Sequence, residues 1–74
     1  MDFYFCYGTQ HKYPFVGGHT KVSAKDREDA VCKFKAKHVD RKSGCVNCEN
    51  ICSEENWKKV VKNFPIYEIC REVL

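Results

Sequence analysis

Three cysteines within eight residues constrain this chain more than any other feature of its sequence. Cys45, Cys48 and Cys52 lie past the middle of a chain of 74 residues. Such a stretch can be a metal-binding turn, part of a disulfide framework, or a strand with buried thiols. The choice affects the whole fold, because a chain this short buries only about 60% of its unfolded surface and gains much from a cross-link or a metal.

Cys45 and Cys48 have the spacing of a zinc-binding turn, in which two thiolates reach one tetrahedral ion. A complete site needs four ligands, and Cys52 together with Cys32 or His38 would supply the rest. A second pair of cysteines at the same spacing is missing from the sequence. We therefore expect free thiols and no cofactor, with structural zinc and disulfides as the alternatives.

The N-terminal residues have none of the features of a signal peptide, since the second residue is acidic and no basic segment precedes an apolar one. No apolar run approaches the roughly 20 residues that cross a bilayer. The six cysteines would form disulfides only in an oxidising compartment. We therefore expect a cytoplasmic protein that makes no membrane contact and keeps most of its thiols reduced.

The pattern of apolar residues predicts one small α+β domain over residues 1–74. The segment from Phe3 to Tyr7 is bulky at both parities, which indicates a central strand packed on both faces. The segment from His19 to Ala24 alternates as a half-exposed strand does. A helix should then run from Asp26, a suitable N-cap, to His38.

In the second half of the chain, the cysteine stretch is best interpreted as a third strand anchored by Val46 and Ile51. Ser53 is a suitable N-cap for a second helix, which Pro65 should end. The segment from Ile66 to Val73 has apolar residues at helical spacing and predicts a short third helix. A terminal edge strand is the alternative for this segment.

These elements follow one another in the order β-β-α-β-α(-α), which predicts a small three-stranded antiparallel sheet. The helix between the second and third strands can carry the chain across the first strand, giving the spatial order 2-1-3. We expect the two or three helices to lie on one face of the sheet.

The net charge of +3 is mild, and its excess of bases lies on and just after the first predicted helix. Lys33, Lys37 and Arg41 could contact phosphates there. A charged helix face is more often only solvated, and the isoelectric point of about 8.5 is below the value above about 9 that is typical of nucleic-acid domains. A nucleic-acid-binding module, with or without structural zinc, is therefore the alternative function.

The long loop from Gln10 to Val16 is the strongest indication of a binding surface. Its candidate binding residues are His11, Lys12, Tyr13 and Phe15. Loops of this length in compact domains are usually functional or disordered, and exposed aromatic residues beside cations make good interface hot spots. The alternative is that Phe15 folds back and covers the sheet.

The sequence contains no catalytic signature. Six cysteines and three histidines will place some cysteine near some histidine by chance, and no local motif supports a thiol enzyme. The pair Gly17-Gly18 leads into a strand, whereas a phosphate-binding loop leads into the N-terminus of a helix. We therefore expect no enzymatic activity.

Several short motifs are spread from Tyr7 to Trp57. They are Tyr7-Gly8, Pro14-Phe15-Val16-Gly17-Gly18, Val22-Ser23-Ala24, Ala30, Phe34, His38-Val39-Asp40-Arg41, Gly44-Cys45-Val46-Asn47-Cys48, and Glu54, Glu55 and Trp57. In these motifs the chain resembles a group of short bacterial proteins, of no established activity, that are frequent in phage and mobile-element neighbourhoods. The pattern of that group has one cysteine, at the position of Cys48, so the resemblance implies free thiols more than zinc.

The resemblance implies a setting and not a chemistry. With the aromatic loop, it predicts a small non-catalytic binding protein of phage or mobile-element type. Such a protein would act as an inhibitor or adaptor by occupying a surface of a host protein, including proteins of defence systems. The sequence does not indicate the identity of the partner or the oligomeric state.

Overall fold

The structure is a computed structural model that describes residues 1–40 and 46–74. The described residues form a four-stranded sheet, two α-helices and one short 3₁₀ helix. In chain order the elements are β1 (Asp2–Cys6), β2 (His19–Ser23), α1 (Arg27–Lys37), β3 (Asn50–Ser53), α2 (Glu54–Asn63), the 3₁₀ helix (Pro65–Tyr67) and β4 (Cys70–Val73). In this part of the chain, no helix has the length and apolar character needed to cross a membrane.

The strands lie in the order β3-β1-β2-β4. β1 is antiparallel to both of its neighbours, whereas β4 is parallel to β2. The predicted order 2-1-3 is therefore present as β2-β1-β3. The prediction of a three-stranded, purely antiparallel sheet was wrong, because β4 adds a fourth, parallel strand.

β1 is the central strand that its composition predicts, and its side chains enter two apolar clusters. The first cluster consists of Phe3, Phe5, Tyr7, Val22, Ala24, Ala30 and Phe34. The second consists of Cys6, Cys52 and Tyr67, with Tyr4, Trp57 and Val60 packed against it. Because successive side chains of a strand point to opposite faces, the two clusters lie on opposite faces of the sheet.

The two clusters correct the prediction that the helices share one face. α1 contributes Ala30 and Phe34 to the first cluster, and α2 places Trp57 and Val60 against the second. A central strand that is bulky at both parities needs cover on both faces, so each helix covers one of them. The domain therefore has three layers, with the sheet between the helices.

The tail after Pro65 ends in the edge strand Cys70–Val73 and does not form the third α-helix that its spacing predicts. Pro65 opens the 3₁₀ helix, and β4 then pairs beside β2. The His19 amide donates to the Ile69 carbonyl at 2.8 Å, which begins this pairing. Without β4, the backbone N–H and C=O groups on the side of β2 that faces away from β1 would lack hydrogen-bond partners. Pairing these groups stabilises the strand conformation of the tail more than its weak helical periodicity stabilises a helix.

The bounds of both helices agree with the capping residues in the sequence. Asp26 is the N-cap of α1 and accepts a hydrogen bond from the Asp29 amide at 2.8 Å, and His38 is its C-cap. Ser53 occupies the N-cap position of α2 without a side-chain hydrogen bond, and α2 ends before Pro65. These capping residues determine where each helix begins and ends.

Candidate functional site

The loop predicted to bind a partner is only partly exposed. His11 and Lys12 are exposed, whereas Tyr13 and Phe15 are half-buried against the first cluster. The ring centres of Tyr13 and Phe15 lie 6.4 Å and 5.4 Å from that of Tyr7. The two aromatic residues thus fold back and extend the core, which leaves the polar part of the loop and Val16 at the surface.

A chain of hydrogen bonds joins four polar side chains near this loop. The buried Tyr7 hydroxyl donates to Thr20 Oγ1 at 2.5 Å, and Thr20 donates to Glu72 Oε1 at 2.9 Å. His38 Nε2 donates to the same oxygen of Glu72. Burial raises the pKa of the Tyr7 hydroxyl, so this group stays protonated and serves as a donor.

This polar chain connects β1, β2, β4 and the end of α1 through the carboxylate of Glu72. Glu72 and His38 have side chains only 16% and 15% exposed, and Thr20 is fully buried. In such an environment a donor that loses its acceptor costs more than a surface hydrogen bond does. These hydrogen bonds to Glu72 therefore stabilise the edge strand β4.

We expect Glu72→Ala to lower the free energy of unfolding by about 2 kcal/mol, because the donors of Thr20 and His38 lose their acceptor. Glu72→Gln keeps an acceptor oxygen and should cost about half as much. Urea unfolding followed by the fluorescence of Trp57 measures both. The exposed Glu68→Ala is the matched control, and equal stabilities of all three variants would contradict the assigned contacts.

The basic residues predicted to contact phosphates lie on α1 and beyond it. Lys33 Nζ is 3.4 Å from Asp29 Oδ2, and Lys35 makes a similar pair with Asp40 at 3.2 Å. Lys37 is exposed in the last turn of α1, and Arg41 lies outside the described residues. Much of the positive charge of this helix is thus offset by neighbouring carboxylates.

Five of the six cysteines lie in the described residues, and all five are free thiols. Cys6 and Cys52 are buried in the second cluster with their sulfur atoms 4.0 Å apart. Cys48 packs against the first cluster, on the other face of the sheet. Cys32 and Cys70 are exposed.

The proposed zinc ligands are not brought together in the part of the chain that the structure describes. No group of three or more metal-ligating side chains is found within residues 1–40 and 46–74. Cys48 and Cys52 contact different clusters, and Cys32 is exposed on α1. Cys45, the other ligand of the predicted turn, lies outside the described residues.

We expect the buried thiols to react slowly with a disulfide reagent. Burial raises the pKa of Cys48 to about 12 and also raises the pKa values of Cys6 and Cys52, so few thiolates form. In a Cys45→Ser background, two of the five remaining thiols should react at once, and three at least about 100-fold more slowly. Those rates can be followed by absorbance, and five equal rates would contradict the burial of these cysteines.

A cleft opens between the N-termini of the two helices, lined by the first residues of the chain and of each helix. Two of its carboxylates are already engaged. Asp26 accepts from the Asp29 amide, and Glu54 accepts from the Asp2 amide at 2.8 Å. Asp2 also pairs with Lys21 Nζ at 3.5 Å, so three of the four carboxylates of the cleft are engaged, and we assign it no function.

Four large apolar side chains are exposed in the two segments that the Gly18–Ile66 and His19–Ile69 backbone hydrogen bonds join, and we call them the apolar rim. The rim consists of Val16, Phe64, Ile66 and Ile69, which are between 41% and 58% exposed. Ile66 and Ile69 belong to the tail whose spacing predicts a helix, and residues at such spacing are expected to be buried on one helix face. The sequence pattern therefore does not indicate this exposed surface.

Comparison of the chain with protein-family models, with curated proteins and with solved structures finds no match.

Proposed function

We propose that this chain is a small non-catalytic binding protein that occupies a surface of a partner protein, as an inhibitor or an adaptor. The observation that carries this proposal is the apolar rim. Several exposed apolar side chains in two paired segments of a small domain are a candidate interaction site. Burying one such side chain fully stabilises a complex by about 1.5–3 kcal/mol.

The backbone that carries the rim is already held in place. The Gly18 amide donates to the Ile66 carbonyl at 2.6 Å, and Arg71 donates from its guanidinium to the Val16 carbonyl at 2.8 Å. A partner that binds here orders little additional backbone, which reduces the entropic cost of association. The rim is therefore suited to specific docking.

The exposed part of the loop borders this surface. Val16 belongs to both, and His11 and Lys12 lie on the solvent side of the loop. His11 and Lys12 are five and four residues before Val16, so they would supply a polar margin to the apolar rim, which is the usual anatomy of a protein interface. The resemblance to phage and mobile-element proteins suggests that the partner is a host protein.

A pull-down from bacterial host lysate tests this proposal with a matched pair of variants. Phe64→Ser combined with Ile69→Ser should reduce recovery of the partner protein at least about tenfold, since both side chains would be interface residues. The control is Val39→Ser, which changes an apolar residue that is 76% exposed but lies outside the rim. Equal recovery by both variants would remove the rim from the binding surface.

The salt dependence of binding separates this proposal from nucleic-acid binding. Phosphate contacts release counterions, so a nucleic acid would dissociate steeply as salt rises. Lys33→Gln with Lys37→Gln would then weaken binding, whereas the rim variant would not. That combination of results would contradict the proposed function.

A further inference from the structure

Two buried thiols lie side by side on neighbouring strands, and we call them the thiol pair. Cys6 is on the central strand β1 and Cys52 is on β3, and their sulfur atoms are 4.0 Å apart. Cys6 is fully buried and Cys52 is only 3% exposed, and both belong to the second cluster. Neither the apolar rim nor the hydrogen bonds of Glu72 involve these thiols.

The register of the two strands places the thiol pair on one face of the sheet. Cys6 is opposite Asn50 and Cys52 is opposite Tyr4, so the two cysteines are diagonal neighbours. Diagonal side chains start farther apart than directly opposite ones, yet these sulfur atoms already approach each other. A disulfide bond is about 2.05 Å long, so its formation needs a further approach of about 2 Å.

β3 can supply this approach because it is short and lies at the edge of the sheet. It has four residues, and in the part of the chain that the structure describes it pairs only with β1. β1 is held by β2 on its other side. Edge segments with few partners open at a lower free-energy cost than central strands do. A movement of β3 toward Cys6 therefore disturbs less of the sheet than a movement of β1.

The contacts of the thiol pair distinguish its two sulfur atoms. Asn50 Nδ2 donates to Cys52 Sγ at 3.6 Å. Burial raises the pKa of Cys52, and a hydrogen bond from the Cys6 thiol opposes that rise. Burial and the contact with Cys52 both raise the pKa of Cys6. Cys52 is therefore the thiol that ionises more readily, and an opening of β3 exposes it to a reagent.

Burial slows the formation of a disulfide here, but it also protects the bond once it has formed. A reducing thiol must reach one of the two sulfur atoms to break the bond. Two thiols that are held side by side also react with each other more readily than with separate molecules. Most of the chain lies between Cys6 and Cys52, and a cross-link that closes a long loop stabilises a small domain strongly.

We propose that the thiol pair is a disulfide-forming site, which closes when a small disulfide such as oxidised glutathione reaches Cys52 in the opened edge strand. The Cys52 thiolate attacks one sulfur of the oxidant, releases one glutathione thiolate and forms a mixed disulfide. The Cys6 thiolate then attacks the Cys52 sulfur and releases the second glutathione. The thiol pair loses two electrons and two protons, and one glutathione disulfide becomes two glutathione thiols. This inference is independent of the proposed binding function.

Disulfide mapping of the full chain tests the inference. Accessible thiols are first blocked with iodoacetamide under native conditions, and oxidised glutathione is then added. Trypsin places Cys6 and Cys52 in different peptides, which mass spectrometry should find joined to each other. Urea below the unfolding transition should speed this closure, because it favours the opening of β3. The oxidised protein should unfold at a urea midpoint at least about 2 M higher than the reduced protein.

Two variants locate the reaction. Cys52→Ala should lower the amount of cross-linked Cys6 at least about tenfold. Cys48→Ala removes a half-buried thiol on the other face of the sheet and should retain the cross-link. A link from Cys6 to Cys45 or Cys48, a mixed disulfide that persists at Cys52, or a Cys6 that stays reduced would overturn the inference. Mapping of the wild-type protein gives this answer even where a variant does not fold.

Discussion

Phe34→Ala is expected to unfold a large part of the protein at room temperature. Phe34 is fully buried and stacks on Phe5 with ring centres 4.3 Å apart, and its ring also lies 6.4 Å from that of Tyr7. Removing a buried phenylalanine side chain costs about 3–5 kcal/mol. A core in a domain of this size rarely supplies more than about 3–5 kcal/mol of net stability, so the loss is comparable to the whole.

The same substitution at an exposed position provides the control. Phe64 is 55% exposed, and Phe64→Ala should cost less than about 1 kcal/mol. Circular dichroism and urea unfolding followed by Trp57 fluorescence compare the two variants. If Phe34→Ala were as stable as Phe64→Ala, α1 would not be packed on the sheet as described.

The elements that the sequence predicts well are those whose signals are local. β1 has bulky residues at both parities, α1 has an Asp26 cap followed by acidic residues in its first turn, and Pro65 ends the second helix. Each signal acts through a few neighbouring residues, so it depends little on the rest of the fold. The central position of β1 followed from the same local composition.

The errors arose where distant residues decide the structure. The tail from Ile66 to Val73 has helical spacing, yet it pairs with β2, which is about fifty residues earlier in the chain. The prediction that both helices lie on one face was wrong because β1 has bulky apolar side chains on both faces, and each face needs a helix to cover it. A local pattern cannot indicate which unpaired strand edge a terminal segment will reach.

The candidate site shows the same division. The loop from Gln10 to Val16 was identified from its length, but the burial of Tyr13 and Phe15 depends on contacts with Tyr7. Glu72 was not recognised, because its partners Thr20 and His38 lie far away in sequence. The rim follows from the pairing of the tail with β2, so the helical spacing of the tail does not indicate it.

Gly18→Ala is expected to detach the tail that carries the rim. Gly18 has φ of +80°, a left-handed conformation that costs an alanine about 1–2 kcal/mol. An added Cβ would also lie 2.4 Å from the Ile69 carbonyl oxygen and 2.8 Å from Arg71 Cγ, so the backbone of the tail must move. We expect a total loss of about 3 kcal/mol, since overpacking adds about 1–3 kcal/mol to the conformational cost.

Two other glycines separate the contributions to this loss. Gly17 has φ of +71°, and its added Cβ would lie 3.2 Å from Ile66 Cγ1 and 3.5 Å from the Ile66 carbonyl oxygen, which are much looser contacts than those at Gly18, so Gly17→Ala should show mainly the conformational cost. Gly8 has no positive φ, and its added Cβ would overlap a Glu49 carboxylate that can rotate away, so Gly8→Ala should cost well under about 1 kcal/mol. Urea unfolding should therefore rank the variants Gly8, Gly17, Gly18 in order of increasing loss.

Amide hydrogen exchange shows where the Gly18→Ala loss is located. The Gly18 and His19 amides donate to the carbonyls of Ile66 and Ile69, so a displaced tail should expose both amides to exchange while the Phe34 amide in α1 stays protected. Because the position of the rim depends on these bonds, Gly18→Ala should also lose the partner although every residue of the rim is unchanged. A Gly18→Ala variant that exchanges as the wild type does would contradict the placement of β4 and, with it, the proposed binding surface.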